Sequence, residues 1–199
     1  MVRQRVEVRR DEILAATIGQ VEVRGLAQTR VSDVANALDI SPGLVFYHFD
    51  TKDALLVAAF EHAAALDLAR LDRAVRRGVD ATDRLRRLLA VYGPTGSASG
   101  WRIWIDAWAL ALHEPDIRAT LRRLDDRWRS ALHEVVVGGV AEGSFRCPDP
   151  HAAVSRISAL LDGLSVATLA YRNVTRTQLR TWVREAAARE VAVDPELLT

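Results

Sequence analysis

Two residue types are almost absent from this chain of 199 residues: it has one cysteine, Cys147, and one lysine, Lys52. A single thiol excludes an internal disulfide framework and any multi-cysteine zinc site. Basic charge is carried almost wholly by arginine. No uninterrupted apolar run approaches the ~18–20 residues that cross a bilayer. The opening Met1-Val2-Arg3-Gln4-Arg5 leads into charged sequence without the apolar core of a secretory signal, so a cytoplasmic location is expected. Net charge is small too: 27 basic residues face 26 acidic ones, a formal +1. No global field gathers nucleic acid, and any DNA binding has to come from local arrangement.

Catalytic motifs are missing as well. His48, His62, His113, His133 and His151 lack the HExxH spacing of a zinc hydrolase, and no phosphate loop or dinucleotide fingerprint occurs. Cys147 lies between Arg146 and Pro148 with no adjacent histidine to activate it. Neither an enzyme nor a metal or cofactor site is expected.

What the chain does have is apolar content, 49%, laid out with helical period. Leu14, Ile18 and Val21 recur on one face before Gly25. No alternating strand flanked by hairpin turns is found. The run Val135-Val136-Val137 sits inside a helical pattern and is read as helix. Caps and breakers divide the chain into about nine helices: Glu7–Arg24, Val31–Leu38, a short one after Ser41-Pro42, one from Thr51 to near Gly78, Ala81–Tyr92, Trp101–His113, Asp116–Glu142, His151–Arg172 and Thr177–Glu190. An all-α fold follows. The first three helices are short and tightly joined, so a functional division is placed near residue 50, separating residues 1–50 from residues 51–199.

Residues 31–50 carry a helix–turn–helix pattern. Val34, Ala35 and Leu38 face inward from its first helix, and Ala35 is small where the second must cross closely. Asp39 occupies the turn and Ile40 the wedge between the helices, while Val45 and Phe49 return the second helix to the core. Ser41 is a preferred N-cap and Pro42 a preferred first helical residue.

With these residues in view, Ser41-Pro42-Gly43-Leu44-Val45-Phe46-Tyr47-His48-Phe49-Asp50-Thr51-Lys52-Asp53-Ala54-Leu55 resembles the recognition helix and fourth-helix start of the TetR family of transcriptional regulators. Ile13-Leu14-Ala15-Ala16 and Gly25 extend the likeness upstream. Glu142-Gly143-Ser144-Phe145-Arg146 and Leu160-Leu161-Asp162-Gly163-Leu164 resemble the ligand-binding region of the betaine-pathway-repressor subgroup. The resemblance implies a ligand-responsive repressor that binds a pseudo-palindromic operator as a dimer and is released by a small-molecule effector. It implies dimerisation through the last two helices, and hints at a cationic effector such as choline. There are two departures: Asp39 stands where the family has a turn glycine, and Phe46 where a tyrosine is common.

Physical chemistry assigns roles beside the resemblance. The amino-terminus of the short helix at Ser41 and Pro42 directs N–H groups toward a phosphate, and Gly43 lets the backbone approach a duplex closely. Leu44 suits a thymine methyl. Tyr47, His48 and Lys52 suit phosphate oxygens, and Ser32 a base or phosphate. Arg3, Arg5, Arg9 and Arg10 form a basic leader, either a backbone contact or a solvated tail. Over residues 1–53, seven basic residues face eight acidic ones. That balance keeps a second reading open: an all-α interaction module with the helix–turn–helix shape but no DNA binding.

In the second half, Trp101, Trp104 and Trp108 lie at i, i+3 and i+7 on one helical face, with Tyr92, Trp128 and Tyr171 as further aromatics. They suit a pocket for a flat apolar ligand or a cation, and they equally suit an ordinary core. Asp106, Glu114, Asp125 and Asp162 are candidate counter-charges, each otherwise a solvated or capping group. Val154, Ile157, Leu161, Leu164 and Thr168, with small residues between them, suit close helix–helix approach.

Overall fold

The computed structural model describes residues 2–92 and 99–199, and the side chains of 10–92 and 101–199. Among these, the regular structure is helical and no strand occurs. The elements are α1 (Val2–Arg24), α2 (Val31–Ala37), α3 (Pro42–His48), α4 (Lys52–Arg76), α5 (Ala81–Tyr92), α6 (Ser99–Ala111), α7 (Pro115–Ala141), α8 (Pro150–Val166) and α9 (Arg176–Val191). A π-helical turn, Ala167–Tyr171, follows α8, and a 3-10 turn, Pro195–Leu198, ends the chain.

Helix boundaries follow local chemistry. Thr51 Oγ1 accepts from Ala54 N–H at 3.0 Å to open α4, and the Asp149 carboxylate accepts from Ala152 N–H at 2.9 Å to open α8. The valine triplet 135–137 lies inside α7, as its helical surroundings required. Helix α1 begins five residues earlier than expected, at Val2. The break expected over 93–100 falls mostly outside the described residues, and α6 opens at Ser99.

The chain packs as two compact units. The first comprises Met1–Leu66 with Ser99–Leu124, the second Asp67–Ala98 with Asp125–Thr199. In the first, Ile13 and Leu14 of α1, Val34 and Ala35 of α2, Val45 of α3, Phe49, and Leu55 and Ala59 of α4 form one buried cluster. Leu38, expected on the inward face of the first helix, and Ile40, expected as the wedge, are partly buried and pack against this cluster. In the second, α8 supplies Ala153, Val154, Ile157, Ser158 and Leu161, and α9 supplies Leu179, Val183, Ala187 and Val191.

One sequence expectation needs correcting. Among the described residues one helix, Pro150–Tyr171, is long and apolar enough to span a bilayer by length and composition, with a mean hydropathy of 1.3. Counting uninterrupted apolar runs misses it because Arg156 and Asp162 break the run without lowering the average below that of a spanning helix. Its buried face belongs to the core of the second unit, and 33% of the window is buried.

The turn after α2 shows how closely sequence and backbone agree. Ile40 N–H donates to Ala35 O at 3.0 Å and Asp39 N–H to Asn36 O at 3.3 Å, the paired bonds of a Schellman stop. That stop requires a left-handed residue, and Asp39 takes φ 53°. Aspartate tolerates this conformation better than most residues but still pays for its Cβ. Replacing Asp39 with glycine is expected to stabilise the protein by about 0.5–1 kcal/mol, after the greater chain entropy of unfolded glycine is subtracted. Urea unfolding of Asp39→Gly checks this; an unchanged or lower midpoint contradicts it.

Candidate nucleic-acid interface and effector region

Helix α3 is only seven residues long and is anchored from beneath. Val45 and Phe49 are buried, and Ser41 Oγ accepts from Leu44 N–H at 3.3 Å to cap its start. The opposite side is open. Ser41, Pro42, Gly43, Phe46 and Tyr47 are exposed, Tyr47 at 74% and Phe46 at 45%, while Leu44 and His48 are half-buried. Ser32 is exposed on α2. The candidate residues of α3 therefore lie together on one short, accessible helix. Phe46, which a reading by apolarity alone places in the core, belongs to that accessible surface.

Gly43 has an informative environment. A Cβ added there would meet only Ser41 Oγ, at 3.8 Å, an ordinary contact. The fold itself does not require glycine at this position. Close approach by something outside the chain remains a reason for it.

Lys52 is engaged within the fold, since its ammonium donates to Ala27 O at 3.1 Å in the loop between α1 and α2. An ammonium has three donors, so this bond positions the charge without exhausting it. On the same loop, the Asp106 carboxylate of α6 accepts from Leu26 N–H at 2.8 Å. Gly25 there has φ +84°, and a Cβ would come within 3.2 Å of Asp106 Oδ2. Asp106, a candidate counter-charge by sequence, is thus committed to holding the loop that joins α1 to α2. Glu114 is exposed.

The six aromatic candidates divide between the units. In the first, Trp101 and Trp108 meet edge-on at 6.0 Å, and Trp104 meets Phe60 edge-on at 5.2 Å. All three indoles are half-buried, flanking the deeper face of α6 formed by Ile103, Ala107 and Ala111. In the second, Tyr92 and Trp128 stack at 4.7 Å, both buried. Tyr171, the last residue of the π-helical turn, is 74% exposed.

A polar cluster surrounds the stacked pair. The Tyr92 hydroxyl donates to Ser158 Oγ at 3.5 Å, and Asp125 pairs with Arg129 at 2.9 Å. Burial, reinforced by the negative charge of Asp125 and opposed by Arg129, pushes the Asp162 carboxyl up to about 6. Burial also raises Asp125. The Trp128 Nε1–H and the Thr168 hydroxyl are buried with no hydrogen-bond partner among the described residues. Unpaired buried polar atoms are costly, about 1–3 kcal/mol each. Asp125 and Asp162 were visible from sequence as candidates. Arg129, four residues after Asp125 on the same helix, was findable from that spacing.

An exposed short helix packed across a second short helix through Val34, Ala35 and Val45 is the architecture of a helix–turn–helix DNA-binding regulator. Comparison with known proteins narrows this. Residues 13–59 match the family model for bacterial regulatory proteins of the tetR family, and residues 81–192 match that for the C-terminal domain of BetI-type transcriptional repressors. The HTH-type transcriptional regulator BetI of Burkholderia ambifaria is 32% identical over 161 residues, spanning 79% of this chain and 80% of that one. Its namesake from Burkholderia mallei is 34% identical over the same coverage. Among solved structures, a transcriptional regulator from Saccharomonospora viridis in complex with choline is 28% identical with TM-score 0.84, covering 90% of this chain and 95% of that one. A TetR-family regulator from Rhodococcus sp. is 30% identical with TM-score 0.79, covering 94% and 98%. The chain belongs to the TetR family of transcriptional regulators, with a C-terminal domain of the BetI repressor type. This places it with DNA-binding regulators, and the interaction-module reading falls away.

The Asp106 contact carries a prediction. Asp106→Ala removes a charge-assisted bond to Leu26 N–H and is expected to cost about 1–3 kcal/mol. Thermal unfolding reads this directly, with Asp106→Asn recovering part of the loss because its amide oxygen still accepts.

Proposed function

We propose that the protein is a dimeric repressor that reads a pseudo-palindromic operator through paired copies of α3 and releases it when a small cation binds in the second unit. The observation that carries the DNA half is the accessible side of α3, where Pro42, Gly43, Phe46 and Tyr47 stand clear of a helix anchored by Val45 and Phe49. Leu44 reads a thymine methyl in the major groove. Ser32, Ser41, Tyr47, His48 and Lys52 hold phosphates, which fix register without reading sequence. Two such helices about 34–36 Å apart fit successive major grooves. The functional division near residue 50 belongs to this proposal.

Dimerisation through α8 and α9 is supported by what those helices leave uncovered. Ala159, Leu160 and Gly163 of α8 are exposed, and so is Trp182 of α9 at 40%. Small residues beside a large one on an apolar face permit close helix packing between copies, and this gives the apolar exposure of α8 a use other than membrane insertion.

For the effector, the stacked Tyr92 and Trp128, the partnerless Trp128 N–H and the acidic Asp162 and Asp125 suit a small organic cation, which aromatic faces and carboxylates attract together. The choline bound to the Saccharomonospora viridis regulator is such a cation. Trp101, Trp104 and Trp108 of α6 belong to the first unit and are not part of this proposed cation site. That helix also holds Leu26 through Asp106, so a displacement of α6 reaches the loop beside the helix–turn–helix.

Two experiments test these halves. Gly43→Ala is expected to fold normally, because its Cβ has room, yet to lose about tenfold or more in operator affinity, the clash costing ~1.4 kcal/mol or more against the duplex; gel shifts paired with melting curves check it. Full affinity in the variant would remove the close-approach role. For the effector, choline is the probe, with affinity read by calorimetry. Only the ionised Asp162 attracts a cation, so affinity is expected to be level above pH 7 and to fall by up to about tenfold per unit below about 6. Asp162→Asn is expected to weaken choline binding and flatten this profile, and a profile unchanged by the substitution refutes the assignment.

A further inference from the structure

The far end of α3 is held by a residue that the DNA-reading face does not include. Arg10, exposed on α1, donates from Nη1 to the carbonyl oxygen of His48 at 3.0 Å, and its guanidinium carbon lies 4.3 Å from the centroid of the Phe49 ring. His48 is the last residue of α3, so this carbonyl belongs to the final turn, where acceptors have no intrahelical partner and the helix dipole is negative. Phe49 is the buried anchor that follows. A flat cation thus satisfies the helix end and stacks on the side chain that seats it.

We propose that Arg10 is a positioning residue for α3, fixing the angle at which the helix leaves its core rather than touching DNA itself. Within α3, Val45 is the buried side chain, with the Ser41 cap at the start of the helix and Phe49 at its end. Rotation about Val45 is the motion that a contact at the far end restrains. The base-facing residues lie toward the end opposite the Arg10 contact, where a small rotation becomes a lateral shift. Arg10 restrains it through one N–H that meets a carbonyl and a planar guanidinium that lies over a ring; lysine can supply a donor but not the plane.

This rests on α3 being the DNA-reading element, and the test separates the two ideas. A duplex is first selected from a random-sequence library by the wild-type protein; if none is selected, the DNA reading has failed and this proposal with it. Arg10→Gln and Arg10→Lys are then titrated against the selected duplex and against poly(dI-dC) over a range of salt, with melting curves for each variant. A positioning role predicts that Arg10→Gln lowers selected-site affinity about 3- to 10-fold, that Arg10→Lys recovers it only partly, and that poly(dI-dC) affinity and the salt slope stay as in wild type. A phosphate contact predicts instead that the slope falls by about one and that both duplexes lose affinity alike. That outcome overturns the proposal, as does unchanged selected-site affinity in Arg10→Gln or full recovery by lysine. If Arg10→Gln does not fold, the lysine variant alone carries the same comparison.

Discussion

The crossing of α2 and α3 is the constraint on which the rest of the structure depends. Ala35 and Val34 are wholly buried, and Val45 packs from α3 onto the same cluster. With a larger side chain at residue 35 the helices would stand further apart, and Phe49 would no longer reach Leu55 and Ala59 on α4. Everything accessible on α3 is accessible because this crossing turns Val45 and Phe49 inward and leaves the intervening positions outward. Exposure of Tyr47 and Phe46 is therefore a consequence of core geometry. The Schellman stop at Asp39 and the Ser41 cap make the turn short enough for the crossing to occur.

The loop from Gly25 to Arg30 is the second point at which separate elements converge. Its amide at Leu26 is taken by Asp106 of α6, and its carbonyl at Ala27 by Lys52 at the start of α4. A lysine at a helix amino-terminus is electrostatically unfavourable by itself; the Ala27 carbonyl gives it a reason to be there. The loop thus ties α4 and α6 to the segment that joins α1 to α2.

The helix–turn–helix was legible in sequence because its determinants are local: a cap, a small crossing residue, a wedge and two apolar returns, all within 20 residues. The number and order of helices were legible for the same reason, through periodicity and breakers. Arg10 was not, since no pattern links residue 10 to a carbonyl 38 positions later. Asp106 reads in sequence as either a counter-charge or a solvated or capping group, because sequence shows its charge and not the Leu26 amide opposite it. The exposure of Tyr171 was not legible either, since the π turn that it ends has no composition of its own. The orphaned Trp128 N–H and Thr168 hydroxyl are likewise invisible until the partners they lack can be counted.

Weak local charge gives the proposed regulator its logic. Residues 1–53 carry no basic excess, so one copy of α3 has little electrostatic grip and depends on fit. If a single copy bound its half-site with a millimolar constant, about −4 kcal/mol, joining two copies rigidly would convert the second contact into an intramolecular one and bring the pair into the micromolar range or tighter. That gain exists only while the spacing of the two helices matches the groove. An effector that favours another spacing by the usual coupling energy of about 1–3 kcal/mol lowers operator affinity by roughly 5- to 150-fold without touching any residue that contacts DNA. A strongly basic face would hold the duplex non-specifically after the fit was lost, and the response to effector would be blunted. Near-neutrality around α3 is thus what makes geometry decisive.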